Sequence, residues 1–160
     1  METSVGELLS SYAKILTELR GRGVVRSANA PAGDYAEWLC SRALGATLVD
    51  NFSVKSHDFV LADGRRVQVK TRVTSDPPKA GQLQTSPFRS WDFDLAAFVL
   101  FRDYDYAVRR AVLLPVEVVR AQSVYRSHVN GSVVMMRGAL LDHEDAEDIT
   151  DRLRAAASQD

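Results

Sequence analysis

The chain has 160 residues, 46% of them hydrophobic and 26% charged, with a net charge of −1 and a single cysteine. That length suits one domain with a real core, the lone Cys40 excludes an internal disulfide and a cysteine zinc cage, and no apolar run approaches the roughly 18–20 residues that cross a bilayer. The polar, acidic start at residues 1–4 is unlike a secretory signal, so a cytoplasmic setting is expected.

Residues 5–22 place Leu8, Leu9, Tyr12, Ile15, Leu16 and Leu19 at helical spacing, closed by Gly21 and Gly23. A loop through Ser27, Asn29 and Pro31 leads to a second predicted helix over 32–44. Pro31 stands near its start, Gly45 just after its end, and Ala36, Leu39, Cys40 and Ala43 form its buried stripe. Short strands follow at 47–49 and 58–61, then a stronger one at 66–73, the last two joined by an Asp63-Gly64 turn. Residues 74–89 hold Pro77, Pro78, Gly81 and Pro87 and read as a long loop, and loops of that length inside a domain are usually functional or disordered.

Two apolar runs, 95–101 and 107–114, surround the polar Arg102-Asp103-Tyr104-Asp105 and predict a second hairpin at the sheet centre. A short helix is expected over 115–120, a small strand over 133–136, and a final amphipathic helix over 144–157 that buries Ile149 and Leu153. The order helix, helix, strands, helix gives an α/β fold, a mixed sheet flanked by helices. Charge is uneven along this order. Residues 55–89 hold seven basic and three acidic side chains, residues 142–160 seven acidic and two basic ones. A polyanion would dock on the middle and avoid the tail.

The most informative stretch is 58–70. Side chains alternate across a strand, so Gln68 and Lys70 share one face while Val67 and Val69 share the other. With Asp58 on the preceding strand, a hairpin can bring an acid, an amide oxygen and an ammonium together. That donor set suits a hard divalent cation beside a phosphodiester, since Mg²⁺ takes oxygen ligands and commonly only one or two carboxylates. Asp58 supplies the first carboxylate, Gln68 a neutral and weaker oxygen, and the carbonyl of Val69 another. Lys70 would orient the attacking water or balance charge on the phosphate. Glu37, at the margin of the buried stripe of the second helix, is the candidate second carboxylate, with Asp34 one turn earlier a weaker one.

Taken together, Glu37, Asp58, Gln68 and Lys70, spaced 21, 10 and 2 positions apart, resemble the PD-(D/E)XK nuclease superfamily, whose signature is an acid on one strand, Asp/Glu-X-Lys on the next and often a Glu on the preceding helix. The run Gly33-Asp34-Tyr35-Ala36-Glu37 is similar to the opening helix of such nucleases. The Gln-X-Lys form resembles the Mrr-like restriction endonucleases, and His57 stands where the motif usually has Pro. The resemblance covers about residues 32–115, within a single domain that adds an N-terminal helix and loop (1–30) and a C-terminal helical extension (116–160). It implies a restriction endonuclease-like sheet, Mg²⁺-dependent cleavage of DNA with Mn²⁺ able to substitute, and a homodimer. Restriction, phage defence and repair are the settings in which such an enzyme works. Because Gln68 replaces an acid, a catalytically degenerate DNA-binding or dimerisation module is an open alternative, and an RNA-directed nuclease is another.

Singly, each of these residues has an ordinary reading. Asp58 could be a turn acid, Gln68 and Lys70 the solvated face of an edge strand, and Glu37 an exposed helix residue. Their order and spacing favour the metal site. Arg65, Arg66 and Arg72 are expected around it and Lys79 and Arg89 beside it, making phosphate contacts that position a duplex without reading its sequence. Gln82, Gln84, Thr85 and Ser86 could reach bases or phosphates from the loop. Trp91, Phe93 and Phe98 read as core and Cys40 as a small buried hydrophobe. His57 could touch substrate or pack on its strand. His128 and His143 have no ligand spacing.

Overall fold

Ser4 starts the first helix: its hydroxyl accepts the Glu7 N–H at 3.2 Å while the Glu7 carboxylate accepts the Ser4 N–H at 2.7 Å, a reciprocal cap that satisfies two otherwise orphaned donors. The structure, a computed structural model, describes residues 2–26, 30–48 and 56–159. Ser27, Asn29, Val49 and Lys55 of the sequence reading lie outside them. Helix α1 spans Val5–Gly21. Its expected apolar stripe is not the buried face: Leu16 is buried, but Leu8, Tyr12 and Ile15 are exposed. Amphipathic spacing shows that a helix has an apolar side, not that this molecule covers it. Just past α1, Val24 and Val25 are buried and tie the connection to the body.

Helix α2 (Ala32–Ala43) buries Ala36, Leu39, Cys40 and Ser41, close to the predicted stripe. Strands β1 (Thr47–Leu48), β2 (Phe59–Val60), β3 (Arg66–Thr74), β4 (Leu95–Arg102) and β5 (Val108–Pro115) follow. Gly64, at φ 90°, makes the β2–β3 turn in a conformation that a side chain would strain. Then come α3 (Val116–Gln122), β6 (Val124–Arg126), β7 (Gly131–Val133), α4 (Gly138–Leu141), β8 (Glu147–Asp148) and α5 (Thr150–Ser158). The six-stranded sheet runs β1-β2-β3-β4-β5-β8, with β3 and β4 parallel and every other pair antiparallel. It is a mixed sheet flanked by helices, with the predicted β4–β5 hairpin beside β3 at its middle.

Each face of this sheet carries its own core. Val67, Val69, Ala97, Val99 and Phe101 pack with α2 and with Ile149, Leu153 and Ala156 of the C-terminal segment. The opposite face gathers Phe88, Phe93, Ala96, Phe98 and Leu100 under α3 and α4. The predicted final helix is shorter than expected because residues 147–148 add strand β8 to the sheet edge, after which Thr150 begins α5. Thr150 Oγ1 closes that junction, accepting the Ala111 N–H at 2.9 Å.

Residues 74–89 are an ordered strap rather than an open loop. A short turn at Ala80–Gln82 is closed by the Gln82 side-chain oxygen, which accepts the N–H groups of Ser75 and Lys79. The strap is then stitched to the β7 segment. Phe88 and Ser132 exchange backbone hydrogen bonds of 2.7 and 2.9 Å, Thr85 N–H donates to the Val134 carbonyl, and Met136 N–H donates to that of Leu83. The small strand expected over 133–136 therefore lies slightly earlier, and its partner β6 was not anticipated.

Candidate active site

Strand β2 leaves β3 at Asp58. The Asp58 N–H donates to the Val67 carbonyl at 2.8 Å, and the next β3 donor on that edge, Val69 N–H, is taken not by β2 backbone but by Asp58 Oδ2 at 2.7 Å. A side chain thus substitutes for a missing ladder partner where the hairpin splays. A residue's N–H and C=O leave a strand on the same edge, so the Val69 carbonyl opens into this splay beside the Asp58 carboxylate.

Glu37 reaches the same place from α2. Its carboxyl group lies against that of Asp58 and accepts Arg26 Nη2 at 2.6 Å. Only 18% of the Glu37 side chain is exposed. Burial first, and the neighbouring Asp58 charge second, push the Glu37 carboxyl up to about 7, against the pull of Arg26. Burial also raises Asp58, opposed by the Val69 N–H and, at longer range, by the charges of Lys70 and Arg26. Both carboxyl groups are therefore held above the ordinary carboxylate range, and neither ionises independently of the other.

Lys70 arrives from the other face of the sheet. Its register partner Phe98 belongs to the core on that side, whereas Val69 pairs with Ala97 of the α2 side. The Lys70 ammonium donates to Ser86 Oγ and to the Pro87 carbonyl, both at 3.0 Å, and lies 4.7 Å from the centre of the Phe88 ring. Burial pulls it down to about 8, partly offset by Asp58 and reinforced by Arg89. Half-buried Gln68 shares this face. The carboxylates and the ammonium therefore converge on the splayed edge from two sides, with Asp58 between them, rather than lining one wall of the hairpin.

The donors present suit a hard divalent cation. Two carboxyl groups meet with raised pKa values, a crowding that a cation would relieve; the Val69 carbonyl is a neutral oxygen on the same strand edge, and the Gln68 amide is another on the Lys70 face. Among the described residues no three His, Cys, Asp or Glu side chains gather as a metal site, so this pair would depend on neutral oxygens, water and substrate to complete a shell.

The expected phosphate contacts divide. Arg65 and Arg66 lie toward the turn end of the hairpin, where Asp63 holds Arg65 at 2.8 Å and Asp92 and Asp94 hold Arg66 at 2.6 and 3.3 Å. Arg72 follows Lys70 on the same face, Lys79 is exposed in the strap, and Arg89 donates to the carbonyls of Val129 and Asn130. Asp34 accepts the Arg26 N–H at 2.8 Å and so braces the connection from α1. Gln82, Thr85 and Ser86 are engaged inside the protein, by the turn, by Val134 N–H and by Lys70. The His57 ring nitrogen meets Ser56 Oγ at 2.9 Å. Phe93, Phe98 and Cys40 are buried as expected.

Arg26, Ser86 and Phe88 were missed as neighbours of the site. The basic run of Arg20, Arg22 and Arg26 was the available signal for the first. For the other two, it was the need of any lysine buried on an apolar face for oxygen partners.

No family model matches the chain, and no curated protein matches it. Among solved structures, a bacterial homing endonuclease, I-Ssp6803I, is similar to it with 23% sequence identity and a TM-score of 0.43, over 80% of this chain and 93% of that one. At that identity and score, no residue role passes from one chain to the other. Among the described residues no helix is long and apolar enough to cross a membrane.

Proposed function

We propose that this protein is a divalent-metal-dependent endonuclease that hydrolyses phosphodiester bonds in DNA, of the PD-(D/E)XK type. The observation that carries the reading is the meeting of the Glu37 and Asp58 carboxyl groups where β2 leaves β3, with Asp58 Oδ2 fixed by the Val69 N–H and Lys70 on the opposite face of the sheet. Asp58, Glu37, the Gln68 amide and the Val69 carbonyl would hold the cation, Mg²⁺ or Mn²⁺. When bound, that ion would supply Lewis acidity and lower the pKa of a coordinated water. Asp58 keeps its orientation through the Val69 N–H. Lys70, drawn down to about 8, is close enough to working pH to exchange a proton with attacking water or to balance charge on the phosphate. A homodimer, with one centre per strand of a duplex, belongs to the same proposal, and the exposed Leu8, Tyr12 and Ile15 of α1 offer apolar surface for it.

The binding-module reading has one observation in its favour: Arg26 already lies against Glu37 as an internal cation, and Gln68 brings no negative charge to the site. Incubation of supercoiled plasmid with Mg²⁺ or Mn²⁺ separates the two. Wild type should nick or linearise the plasmid, Lys70→Ala should reduce the rate by ~10²-fold or more, and excess EDTA should stop it. Cleavage that persists in EDTA, or at full rate without Lys70, removes the proposed mechanism. A parallel RNA substrate tests the choice of polymer.

A further inference from the structure

One part of the molecule takes no role in the site described above. Residues 118–141 contain no aspartate or glutamate but include Arg120, Arg126 and Arg137. At their centre, β6 and β7 form a two-stranded antiparallel ribbon with Tyr125 opposite Ser132. All three residues of β6 are exposed, as are Ser127 and His128 beyond it. A strand normally buries one face; here Val124 and Tyr125, on opposite faces, are 50% and 60% exposed. Among the described residues Arg126 makes no ion pair, whereas Arg65 and Arg66 are held by acids. The ribbon is nevertheless fixed in place. Tyr125 Oη donates to Asn130 Oδ1 at 3.0 Å across its turn, and Arg89 donates to the carbonyls of Val129 and Asn130.

Strand β7 packs on the strap with Gly131 and Val133 buried, and the turn end of the ribbon is tied to the Lys70 ammonium through a single residue. Pro87 packs against Gly131 so closely that a Cβ there would stand 2.7 Å from the proline Cβ, and the Pro87 carbonyl accepts Lys70 Nζ at 3.0 Å.

We propose that the β6–β7 ribbon is a duplex-DNA-binding arm that presents β6, its exposed strand, to the major groove beside the cleaved phosphate, with Arg126 and Tyr125 as its principal contacts. Side chains reaching from such an edge can enter the major groove of B-form DNA, about 12 Å wide, but not the narrow major groove of an RNA duplex. An acid-free, arginine-bearing element with an exposed aromatic complements a polyanion. The inference names the substrate contact of the site proposed above and rests on that reading for its role in cleavage.

The test is fluorescence anisotropy of a labelled DNA duplex without divalent metal, over a range of salt, for wild type, Lys70→Ala, Arg126→Gln and the double variant Tyr125→Ala/Arg126→Ala. Lys70→Ala is carried for the cleavage readout. Arg126→Gln should lose about tenfold in affinity and about one unit of salt slope with an unchanged melting temperature, because its side chain is exposed and makes no ion pair among the described residues; the double variant should lose more affinity. Wild-type affinity and salt slope in a folded Arg126→Gln protein overturn the arm, as does the absence of duplex binding by wild type or an equal loss on duplex RNA. The two ideas fail separately. If Lys70→Ala abolishes cleavage while Arg126→Gln binds normally, only the arm falls. If no variant or wild type cleaves but Arg126→Gln weakens binding, only the nuclease reading falls.

Discussion

Two carboxyl groups in one half-buried pocket repel each other once both are ionised, and this makes Glu37 a measurable reporter of the site. Its folded value of about 7 lies above the ordinary 4.5, so between those values the folded state holds a proton that the unfolded state has released. The stabilisation is complete below about pH 4.5 and is lost as pH rises through 7, at most about 3 kcal/mol. Lys70 works in the opposite sense. Its folded value of about 8 lies below 10.5, so stability returns as pH rises from about 8 toward 10.5. Without metal the protein should be least stable between pH 7 and 8, and Glu37→Gln should flatten the acid side of that minimum. Thermal melts in EDTA from pH 5 to 9 read this directly; a Glu37→Gln profile as steep as wild type below pH 7 contradicts it. At this scale much was legible in the sequence. Period-two alternation placed Gln68 and Lys70 together, and the edge of a helical stripe placed Glu37. Arg26 was legible only as the end of a basic run, because an ion pair formed across a loop follows no periodicity.

At the level of elements, the strap over residues 74–89 decides where Lys70 points, and Gly131 decides where the strap sits. A Cβ at Gly131 would lie 2.7 Å from the Pro87 Cβ and 2.9 Å from the Phe88 carbonyl oxygen. The second contact is with backbone, so the neighbour cannot turn away. Gly131→Ala should destabilise the fold by about 1–3 kcal/mol and, by displacing Pro87, slow cleavage further than the lost stability explains. Chemical denaturation beside plasmid assays on the fully folded variant checks both; normal turnover would show that the strap does not position Lys70. Proline and glycine marked this stretch as a loop, but the backbone bonds that order it reach a segment more than forty residues away, and local composition carries no record of such pairing. The same limit hid β6 and β8, short strands whose partners, not their propensities, make them strands.

For the molecule as a whole, α1 stands apart from the two cores. Leu8 and Ile15 are 59% and 57% exposed, so Leu8→Glu/Ile15→Glu should change stability by no more than about 0.5 kcal/mol. If the proposed homodimer uses this ridge, the same variant should sediment as a monomer where wild type does not; an unchanged dimer places the contact elsewhere. The mixed α/β class followed from the order of elements, and the burial of Ile149 and Leu153 from the amphipathic spacing of the C-terminal segment, whereas the pairing of residues 147–148 with the sheet edge did not, since two residues carry no strand periodicity. A cation held by Glu37 and Asp58 is the centre of the proposed mechanism. Calorimetric titration of the metal-free protein with Mn²⁺ at pH 6.5, in two buffers of different ionisation enthalpy, tests it most directly. Binding should be one ion per chain, should release protons as the raised carboxyl groups ionise against the metal, and should vanish in Asp58→Ala. No heat at millimolar metal, or binding that survives Asp58→Ala, contradicts it.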